Sequence, residues 1–458
     1  MLLRPLFPLL LAALCPGASL VRAESPPKRP PNVLLILADD MRAESIGALG
    51  DPLVKTPNLD RLVARGCSFS NAYCLGGNSP AVCTPSRNML LSGKAYFRWT
   101  GLQAPAESTT FPATFAAAGY ATYHHGKRSN TAIKIQAQFE VNKYFDEDAD
   151  RIGGDPGRQI ADEAVDYLKS RGDDRPFFMY LGFANPHDPR VADRRYTSQY
   201  ELSQIKLPRN FLPLHPFDDG EMAVRDERLA PWPRPAELLR QQWLDYYAVI
   251  TAMDLHIGRV LDTLRDRGLE ENTIVIFSAD QGISLGSHGL LGKQNLYDAA
   301  MKSPLVLAGP GVRHGRSEAL VYLLDIFPTV CSLANLETPS GMDGISIAKA
   351  LQDSRGQARD GLLLAYRDVQ RAYRDERWKL IRYPQVDVTQ LFDLSADPDE
   401  MVDLSRRPEN GDRLREMTAQ LKAAQQRFGD VLPLAVDKPR SPDWTPPVDK
   451  TPAAGKPG

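Results

Sequence analysis

Short, almost continuously apolar runs alternate with stretches of helical periodicity along most of the chain. Four of these runs have the composition expected of strands that are buried on both faces of a sheet. They are Val33–Ala38, Phe177–Phe183, Thr273–Ser278 and Pro304–Ala308, and a shorter strand is predicted over Ala121–Tyr123. Strands that alternate with helices in this way are typical of an α/β fold whose central sheet is mostly parallel.

Helical periodicity is strongest over Ala236–Arg267, where apolar residues recur every three or four positions. Another helix is predicted to begin after Thr56, which offers an N-cap, and to stop at Gly66. Toward the C-terminus, two short strand-like runs precede an amphipathic helix over Asn410–Phe428. This change of pattern predicts a smaller α+β subdomain over residues 346–435.

The two ends of the chain differ from its middle. Residues 1–23 combine Arg4, an apolar stretch too short to span a bilayer and the small residue Ala23, which is typical of a signal peptide. Residues 436–458 are rich in Pro, Lys and Asp, which predicts a disordered tail. We therefore expect an exported chain, periplasmic or secreted, without a stable membrane anchor, whose large α/β domain covers residues 30–345.

The segment from residue 184 to residue 235 contains many prolines and little periodicity. A loop of this length inside a compact domain is usually a lid, a binding loop or disordered. Its arginines at positions 225, 228 and 234 could meet an anionic substrate, although each of them taken singly could equally lie on a solvated surface.

Composition and charge narrow the possible functions. With 43% hydrophobic and 24% charged residues the chain is globular, and 55 basic against 57 acidic residues give a formal charge of −2. A chain with so small a net charge has no general electrostatic attraction to nucleic acid or anionic membranes. If the protein recognises a charged ligand, it must do so through a local group of charged residues. Five cysteines are too few for a disulfide scaffold. A Cys67–Cys74 pair and unpaired buried thiols both remain open.

Acidic and amide side chains follow two of the predicted strands. Asp39 and Asp40 come directly after the first strand, and Asp280 and Gln281 follow Thr273–Ser278. Ligands of parallel sheets bind beyond the carboxyl ends of the strands, so these side chains are expected to converge. Their hard oxygen atoms suit Ca²⁺ or Mg²⁺ better than Zn²⁺, and a cation would relieve the repulsion between adjacent carboxylates. The alternative is that the carboxylates only cap helices.

Residues 83–87 read Cys-Thr-Pro-Ser-Arg. Pro85 fits the first turn of a helix, which would place Cys83 at the N-terminus among free backbone N–H groups, where anions bind. Arg87 would face the same place one turn later with a guanidinium group. Taken alone, the cysteine could be an ordinary reactive thiol.

These residues stand in an order that resembles the type I, formylglycine-dependent sulfatases. The Cys-x-Pro-x-Arg motif is followed by Leu-Ser-Gly at 91–93, as in the signature of that family, and other segments of the mature chain resemble the family's remaining blocks. They are 32–40, 55–66, 280–289 and 378–398. The pattern is most similar to bacterial choline-sulfatases and iduronate-sulfatase-like members. The resemblance implies an alkaline-phosphatase-like fold, with a mixed, mostly parallel sheet between helices and a catalytic domain over 30–345.

The resemblance also implies roles for matched residues. Cys83 would be oxidised to formylglycine by a formylglycine-generating or equivalent maturation enzyme, and its hydrate would attack a sulfate monoester. His187 would give a proton to the leaving alcohol. The implied catalytic residues are Cys83, Arg87, Lys127, His187 and Lys293. The implied ligands of one Ca²⁺ per chain are Asp39, Asp40, Asp280, Gln281 and residue 83. The implied partner is a small sulfated substrate, which for an exported family member is expected to be a saccharide, and no nucleic acid is implied.

Two positions depart from the family pattern. Gln281 stands where Asn or His is common, and its longer arm changes the reach of the ligand. The histidine that commonly follows the lysine of the Gly-Lys pair is missing, and Asn130 could replace it by hydrogen bonding to substrate or hydrate. His124 or His125 could do so instead from the strand. His288 is a candidate substrate-binding residue or only shapes its glycine-rich loop.

Two alternatives to a sulfate monoester hydrolase remain open at this point. A phosphate or phosphonate ester hydrolase could keep the same fold and the same formylglycine. A catalytically inactive sulfated-glycan binder is the other alternative, and it would have no need to retain Cys83, Arg87 or Lys127.

Overall fold

A computed structural model describes residues 29–105, 109–353 and 356–447. The predicted signal peptide lies outside the described residues, and so do residues 448–458 of the predicted tail. Three β-sheets and twelve α-helices make up the described chain. Within it, no helix has both the length and the apolar character needed to cross a membrane.

The strands are numbered in chain order. They are β1 Asn32–Ala38, β2 Cys67–Phe69, β3 Ala72–Tyr73, β4 Gly76–Gly77, β5 Ala121–Gly126, β6 Val141–Tyr144, β7 Phe177–Gly182, β8 Thr273–Ala279, β9 Leu305–Ala308, β10 Gly315–Ser317, β11 Val321–Tyr322, β12 Leu362–Tyr366, β13 Gln370–Arg374, β14 Trp378–Tyr383 and β15 Val388–Asp393. The helices are α1 Pro57–Arg65, α2 Cys83–Ser92, α3 Phe111–Ala117, α4 Ile133–Gln136, α5 Glu147–Ile152, α6 Arg158–Ser170, α7 Arg194–Thr197, α8 Ala236–Asp266, α9 Asp298–Met301, α10 Ile326–Leu333, α11 Ala348–Gln352 and α12 Gly411–Phe428.

The large sheet has eight strands in the order β10-β2-β9-β8-β1-β7-β5-β6. Every neighbouring pair is parallel except the two pairs that involve β9, which runs antiparallel to both β8 and β2. The sheet is therefore mixed and mostly parallel, as the alternation of apolar runs and helices predicts. All residues of β1 are buried, because helices cover both faces of the sheet.

Successive residues of β1 point into two different cores. Leu34 and Ile36 join the core formed with α1, α6 and α8. Val33, Leu35 and Leu37 join the opposite core, which includes residues of α2, α3 and α10. This alternation follows from the two-residue period of a strand and produces the sandwich of helices around the sheet.

The second large unit is a five-stranded sheet in the order β15-β14-β13-β12-β4. Strands β12 to β15 pair antiparallel, and helix α12 packs across them, which agrees with the predicted α+β pattern. Strand β4 comes from the N-terminal part of the chain and pairs parallel with β12. The apolar core on this side runs without interruption from the large sheet to the small one.

The proline-rich segment between β7 and α8 follows a fixed path across the carboxyl ends of the large sheet. Apart from α7 it contains only single turns, which explains the weak periodicity. Residues 436–447, which the sequence assigns to a disordered tail, have no helix or strand but contact this segment. Asp218 N donates to Pro442 O at 2.7 Å, and Trp444 packs edge-on against Trp232.

Candidate active site

The carboxyl ends of β1 and β8 bring the predicted acidic residues together. Ala38 pairs with Ala279 in the parallel register of these strands, so that the residues that follow them start side by side. Asp40 adopts a left-handed backbone with φ of 63°, and its N–H donates to Asp280 Oδ1 at 3.2 Å. Asp39 is held by a bond from its N–H to Asn185 O beyond β7.

Helix α2 carries Cys83 into this group of acids. Asp39, Asp40, Cys83 and Asp280 are all buried, and one potential ligand atom of each lies within 4.8 Å of the others. The thiol is a hydrogen-bond neighbour of Asp39 Oδ1, with Sγ and Oδ1 3.2 Å apart. Burial and the charge of Asp39 raise the pKa of the Cys83 thiol, so that the unmodified side chain keeps its proton.

Gln281 reaches the same cluster. Its Nε2 donates to Asp40 Oδ1 at 2.7 Å and to Cys83 Sγ at 3.1 Å, while its Oε1 is buried without a hydrogen-bond partner. Rotation of the amide by 180° would turn this unpartnered oxygen toward Asp40 and Cys83. The cluster would then offer only hard oxygen ligands besides residue 83, and this donor set fits Ca²⁺.

Three buried cations surround the acids. Arg87 donates from Nε to Asp280 Oδ2 at 2.8 Å and from Nη2 to Asp39 Oδ2 at 3.2 Å. Lys127 donates to Asp39, and Lys293 donates to both carboxylate oxygens of Asp40 at 2.7 and 2.8 Å. Each of the three buried carboxylates is therefore paired with at least one buried cation.

The burial of so many charges separates the pKa values of neighbouring acids. Burial and the nearby Asp39 raise the pKa of Asp280 to about 6. Burial would also raise the pKa of Asp39, but Lys127 and Arg87 outweigh it and hold that pKa well below the ordinary value. Crowded carboxylates of this kind are a common feature of metal and catalytic sites.

A cavity of about 390 Å³ opens above Cys83. Its lining includes His187, Lys293 and Asn130. His187 Nδ1 donates to Asp188 O at 2.7 Å, and Nε2 lies 3.7 Å from Asp40 Oδ2. Burial and the charge of Lys293 lower the pKa of His187, so that its imidazole is neutral in this structure.

The structure separates the candidates for the missing histidine. Asn130 lies in an exposed turn with φ of 46° and lines the cavity. His124 and His125 are buried in β5 and do not line it, and His124 Nδ1 is 2.8 Å from Asn142 Oδ1. Burial lowers the pKa of His124 to about 3 and that of His125 to about 4. Both histidines thus pack beside the strand.

The structure does not bring His288 into this cavity. Its ring stacks on Tyr297 with ring centres 3.8 Å apart, and its Nε2 lies 3.0 Å from Asn210 Nδ2. His288 lines a different cavity, of about 600 Å³, between the glycine-rich loop and the small sheet. This position agrees with the alternative that His288 only shapes its glycine-rich loop, and a contact with substrate stays a prediction.

Several residues that line the cavity were missed by the sequence patterns. They are Arg151, Asp188, Asp226 and Gln294. Asp188 directly follows His187, and this adjacency could have indicated it. Of the three arginines of the proline-rich segment that could meet an anionic substrate, Arg225 lines the cavity, whereas Arg228 and Arg234 do not. Arg228 is exposed, and Arg234 is buried in an ion pair with Glu227.

Among the described residues, the cysteines outside the site are unpaired. Cys67, Cys74 and Cys331 are free and buried, so the described part of the chain contains no Cys67–Cys74 disulfide. Burial raises the pKa of Cys74 and of Cys331 to about 12. These thiols are therefore inert packing groups.

Comparisons with known proteins agree with this geometry. A family model described as "Sulfatase" matches residues 31–336, and one described as "N-sulphoglucosamine sulphohydrolase, C-terminal" matches residues 286–427. The ulvan-active sulfatase of Formosa agariphila is 29% identical, over 87% of this chain and 82% of the relative. The N-acetylglucosamine-6-O-sulfatase of Bacteroides thetaiotaomicron is 25% identical, over 90% and 89%. The choline-sulfatase of Rhizobium meliloti is 27% identical, over 82% and 83%.

Solved structures share the fold. A protein in complex with its substrate D-glucosamine-2-N,6-O-disulfate superposes with a TM-score of 0.75 at 23% identity, over 89% of this chain and 99% of the other. The phosphonate monoester hydrolase of Agrobacterium radiobacter superposes with a TM-score of 0.73 at 22% identity, over 87% and 96%. The predicted alkaline-phosphatase-like α/β fold is thereby confirmed.

Proposed function

Because the chain belongs to the sulfatase family and is a sulfuric ester hydrolase, we propose that it cleaves the sulfate monoester of a saccharide with a formylglycine at residue 83 and one bound Ca²⁺. The observation that carries this proposal is the buried cluster of Asp39, Asp40, Asp280 and Cys83 at the base of an open cavity. A cluster that served only to cap helices would have no reason to enclose a thiol and three cations.

The metal ligands in this proposal are Asp39, Asp40, Asp280, Gln281 and residue 83. Four of these side chains provide carboxylate or amide oxygen, which Ca²⁺ prefers and Zn²⁺ does not. The ion would supply positive charge that polarises a sulfate oxygen. The unpartnered Oε1 of Gln281 and the raised pKa of Asp280 support a cation at this place.

The chain's own residues would divide the remaining work. Oxidation of residue 83 by a maturation enzyme would supply a hydrated aldehyde as the nucleophile. Asp39 Oδ1 lies 3.2 Å from Cys83 Sγ and is therefore placed to accept a proton from a nucleophilic group at residue 83. Arg87, Lys127 and Lys293 would hold this group and the sulfuryl oxygens by charge.

His187 is placed to return a proton to the leaving alcohol. Its Nδ1–H is bound by Asp188 O, which fixes the ring, so Nε2 of the neutral imidazole carries no proton. Nε2 would first take up a proton from water in the cavity and then give it to the leaving alcohol, which returns the ring to its neutral state. The size of the cavity, about 390 Å³, is at the small end of the range for small-molecule sites. Together with relatives named for ulvan and N-acetylglucosamine, it supports a saccharide substrate for an exported enzyme.

The decisive experiment combines mass spectrometry with kinetics. We expect the tryptic peptide over residues 66–87, from protein produced with a maturation enzyme, to carry formylglycine at position 83. Cys83→Ala should lower turnover of 4-nitrophenyl sulfate and of sulfated saccharides by at least about a thousandfold, because no nucleophile remains. Cys331→Ala is the control, since it removes a buried thiol far along the chain. Wild-type turnover in Cys83→Ala would refute the mechanism.

A phosphonate or phosphate ester hydrolase is the second candidate. It is favoured by the superposition on the phosphonate monoester hydrolase, which shows a shared fold only. The two candidate functions are distinguished by kcat/KM for matched 4-nitrophenyl esters. A higher kcat/KM for the phosphonate or phosphate ester than for the sulfate ester would make the phosphonate or phosphate ester hydrolase the preferred function. An unmodified thiol in protein from its natural host would instead favour an inactive glycan binder.

A further inference from the structure

We propose that Arg151 is a specificity-determining residue, whose guanidinium binds a second anionic group on the substrate, a carboxylate or another sulfate. The inference rests on the proposed function, because it assumes that a sulfate ester lies at Cys83 in the same cavity. It would restrict the substrate class from sulfated saccharides in general to acidic ones.

Arg151 combines burial with unused hydrogen-bonding capacity. It lies on α5 and lines the cavity together with Cys83 and Lys293. Its side chain is 13% exposed, and its Nε is buried without a hydrogen-bond partner. Its ion-pair partner is Glu147, one turn earlier on the same helix, at 3.4 Å from Nη2.

Glu147 is occupied by other groups. Its carboxylate accepts the N–H groups of Arg128 and Ser129 at 2.7 Å each, and also the hydroxyl of Ser129. These bonds hold the turn that leads to Asn130. Since the turn occupies most acceptor positions of Glu147, the contact between this carboxylate and Arg151 is long. Most N–H donors of the Arg151 guanidinium are therefore left without a partner from Glu147.

The other cations of the cavity are already paired. Arg225 donates to both oxygens of Asp188 and to Asp226 Oδ1, at 3.1 Å, and Lys293 donates to Asp40. Among the described residues that line the cavity, Arg151 is therefore the cation with a buried N–H left over. A buried donor without a partner is costly, and a ligand that supplied an acceptor would remove that cost.

The chemistry of the ligand follows from the guanidinium group. Its planar fork matches two oxygens of a carboxylate or a sulfate, and the low-dielectric surroundings strengthen such a contact. The cavity that both Arg151 and Cys83 line has a volume of about 390 Å³, which is large enough for a sugar unit. The two anionic groups are therefore expected on the same or on adjacent sugar units.

The test measures binding instead of turnover. Calorimetric titrations of the Cys83→Ala protein with Ca²⁺ present compare N-acetylglucosamine 6-sulfate with N-sulfoglucosamine 6-sulfate, and glucose 3-sulfate with glucuronate 3-sulfate. We expect the doubly anionic member of at least one pair to bind about tenfold tighter or more. The first pair reports a second sulfate and the second pair a carboxylate. Adding Arg151→Gln should reduce the preference to within about twofold.

Two further variants keep the test sharp. Arg128→Gln removes an exposed positive charge from the neighbouring turn and should leave the preference intact. Arg151→Lys keeps the charge without the fork and should retain only part of it. The proposal is overturned if no pair shows a preference, if Arg151→Gln or Arg151→Lys retains it in full, or if Arg128→Gln abolishes it. Hydrolysis of 4-nitrophenyl sulfate by the unsubstituted chain tests the proposed function separately.

Discussion

Gln281 shows how one methylene group changes the reach of a side chain into the acidic cluster. An asparagine at this place would end short of the point where Gln281 Nε2 now contacts Asp40 and Cys83. The longer arm crosses the cluster, so that its amide lies between the two side chains instead of beside one of them. The departure from the family pattern thus keeps a side-chain amide at the cluster but places it at a different reach.

We expect Gln281→Ala to weaken Ca²⁺ binding by about tenfold or more, because one of the oxygen ligands is lost. The measurement is the rise in melting temperature when Ca²⁺ is returned to chelator-treated protein. Wild-type protein should regain more stability than the variant at the same Ca²⁺ concentration, since the stabilisation of the folded state by a ligand rises with the logarithm of its affinity.

Gln357→Ala is the control for this prediction, because Gln357 is exposed and contacts Glu376 far from the cluster. A Ca²⁺ response in Gln281→Ala equal to that of the wild type would exclude Gln281 from the ligand set.

At the scale of single residues, a site residue could be predicted from the sequence when it lies close to the end of a strand. Asp39, Asp40 and Asp280 lie within two residues of strand ends, and strand register fixes where such residues go. Arg151 and His288 depend on the path of a short helix and a glycine-rich loop, and no local pattern encodes such a path. The sequence therefore could not show that His288 lies outside the cavity above Cys83, and it did not indicate Arg151.

At the scale of elements, helix α1 takes its N-terminal cap from a different helix. The sequence predicts Thr56 as the cap, but the hydroxyl of Thr56 instead donates to Asp60 at 3.1 Å. The carboxylate of Asp254 on α8 accepts the N–H groups of Asn58 and Leu59 at 3.1 and 2.8 Å. The cap therefore also fastens α1 to α8, which a local motif could not reveal.

Asp254→Ala should destabilise the protein by about 2–3 kcal/mol, because two helix N–H groups in a buried place lose a charged acceptor. Chemical denaturation at fixed temperature measures the change. Asp262→Ala is the matched control on the same helix: its side chain is 41% exposed, and its removal should cost about 0.5 kcal/mol or less.

The cost of Asp254→Ala should also depend on pH. Burial raises the pKa of Asp254 to about 6 from 3.8, so that the folded state binds the proton more tightly than the unfolded state. The stability linked to this proton is present below about pH 4 and is lost as pH rises through 6. The deficit of the variant should thus be larger at pH 4 than at pH 7, and the opposite trend would contradict the assignment.

Strand prediction succeeded where the apolar run was long. Strands β1, β7 and β8 stand within one or two residues of their predicted ends. Strands of two or three residues, such as β3, β4 and β10, carry too little pattern to be recognised, and only tertiary pairing defines them. The antiparallel direction of β9 was equally invisible, because the hydrophobicity of a strand does not encode its direction.

At the scale of the whole molecule, the two predicted domains share structure. Strand β4, from the N-terminal part, forms the edge of the C-terminal sheet, and one apolar core spans both units. A Cβ on Gly76 would lie 1.9 Å from Ala365 O, so the pairing requires a glycine at this position, whose φ is 114°. The boundary near residue 345 therefore marks a change in the sequence pattern, but the two units on either side of it share a sheet and an apolar core.

A chain that ends at residue 345 should fail to fold stably, because it would expose the core beneath the small sheet and leave β4 unpaired. Near-UV circular dichroism and thermal unfolding of purified fragments measure this. A chain that ends at residue 447 is the control and should melt as the full chain does. A 30–345 fragment with a full cooperative transition would show that the domains are independent.

The pairing of β4 with β12 lies only six residues before Cys83, and Gly77 leaves just enough room for Pro85, to which a Cβ would approach within 2.6 Å. The C-terminal sheet thus contacts the segment that leads directly into the helix of Cys83. Changes that accumulate in the C-terminal strands during evolution could therefore retune reactivity while every residue that meets the substrate stays the same.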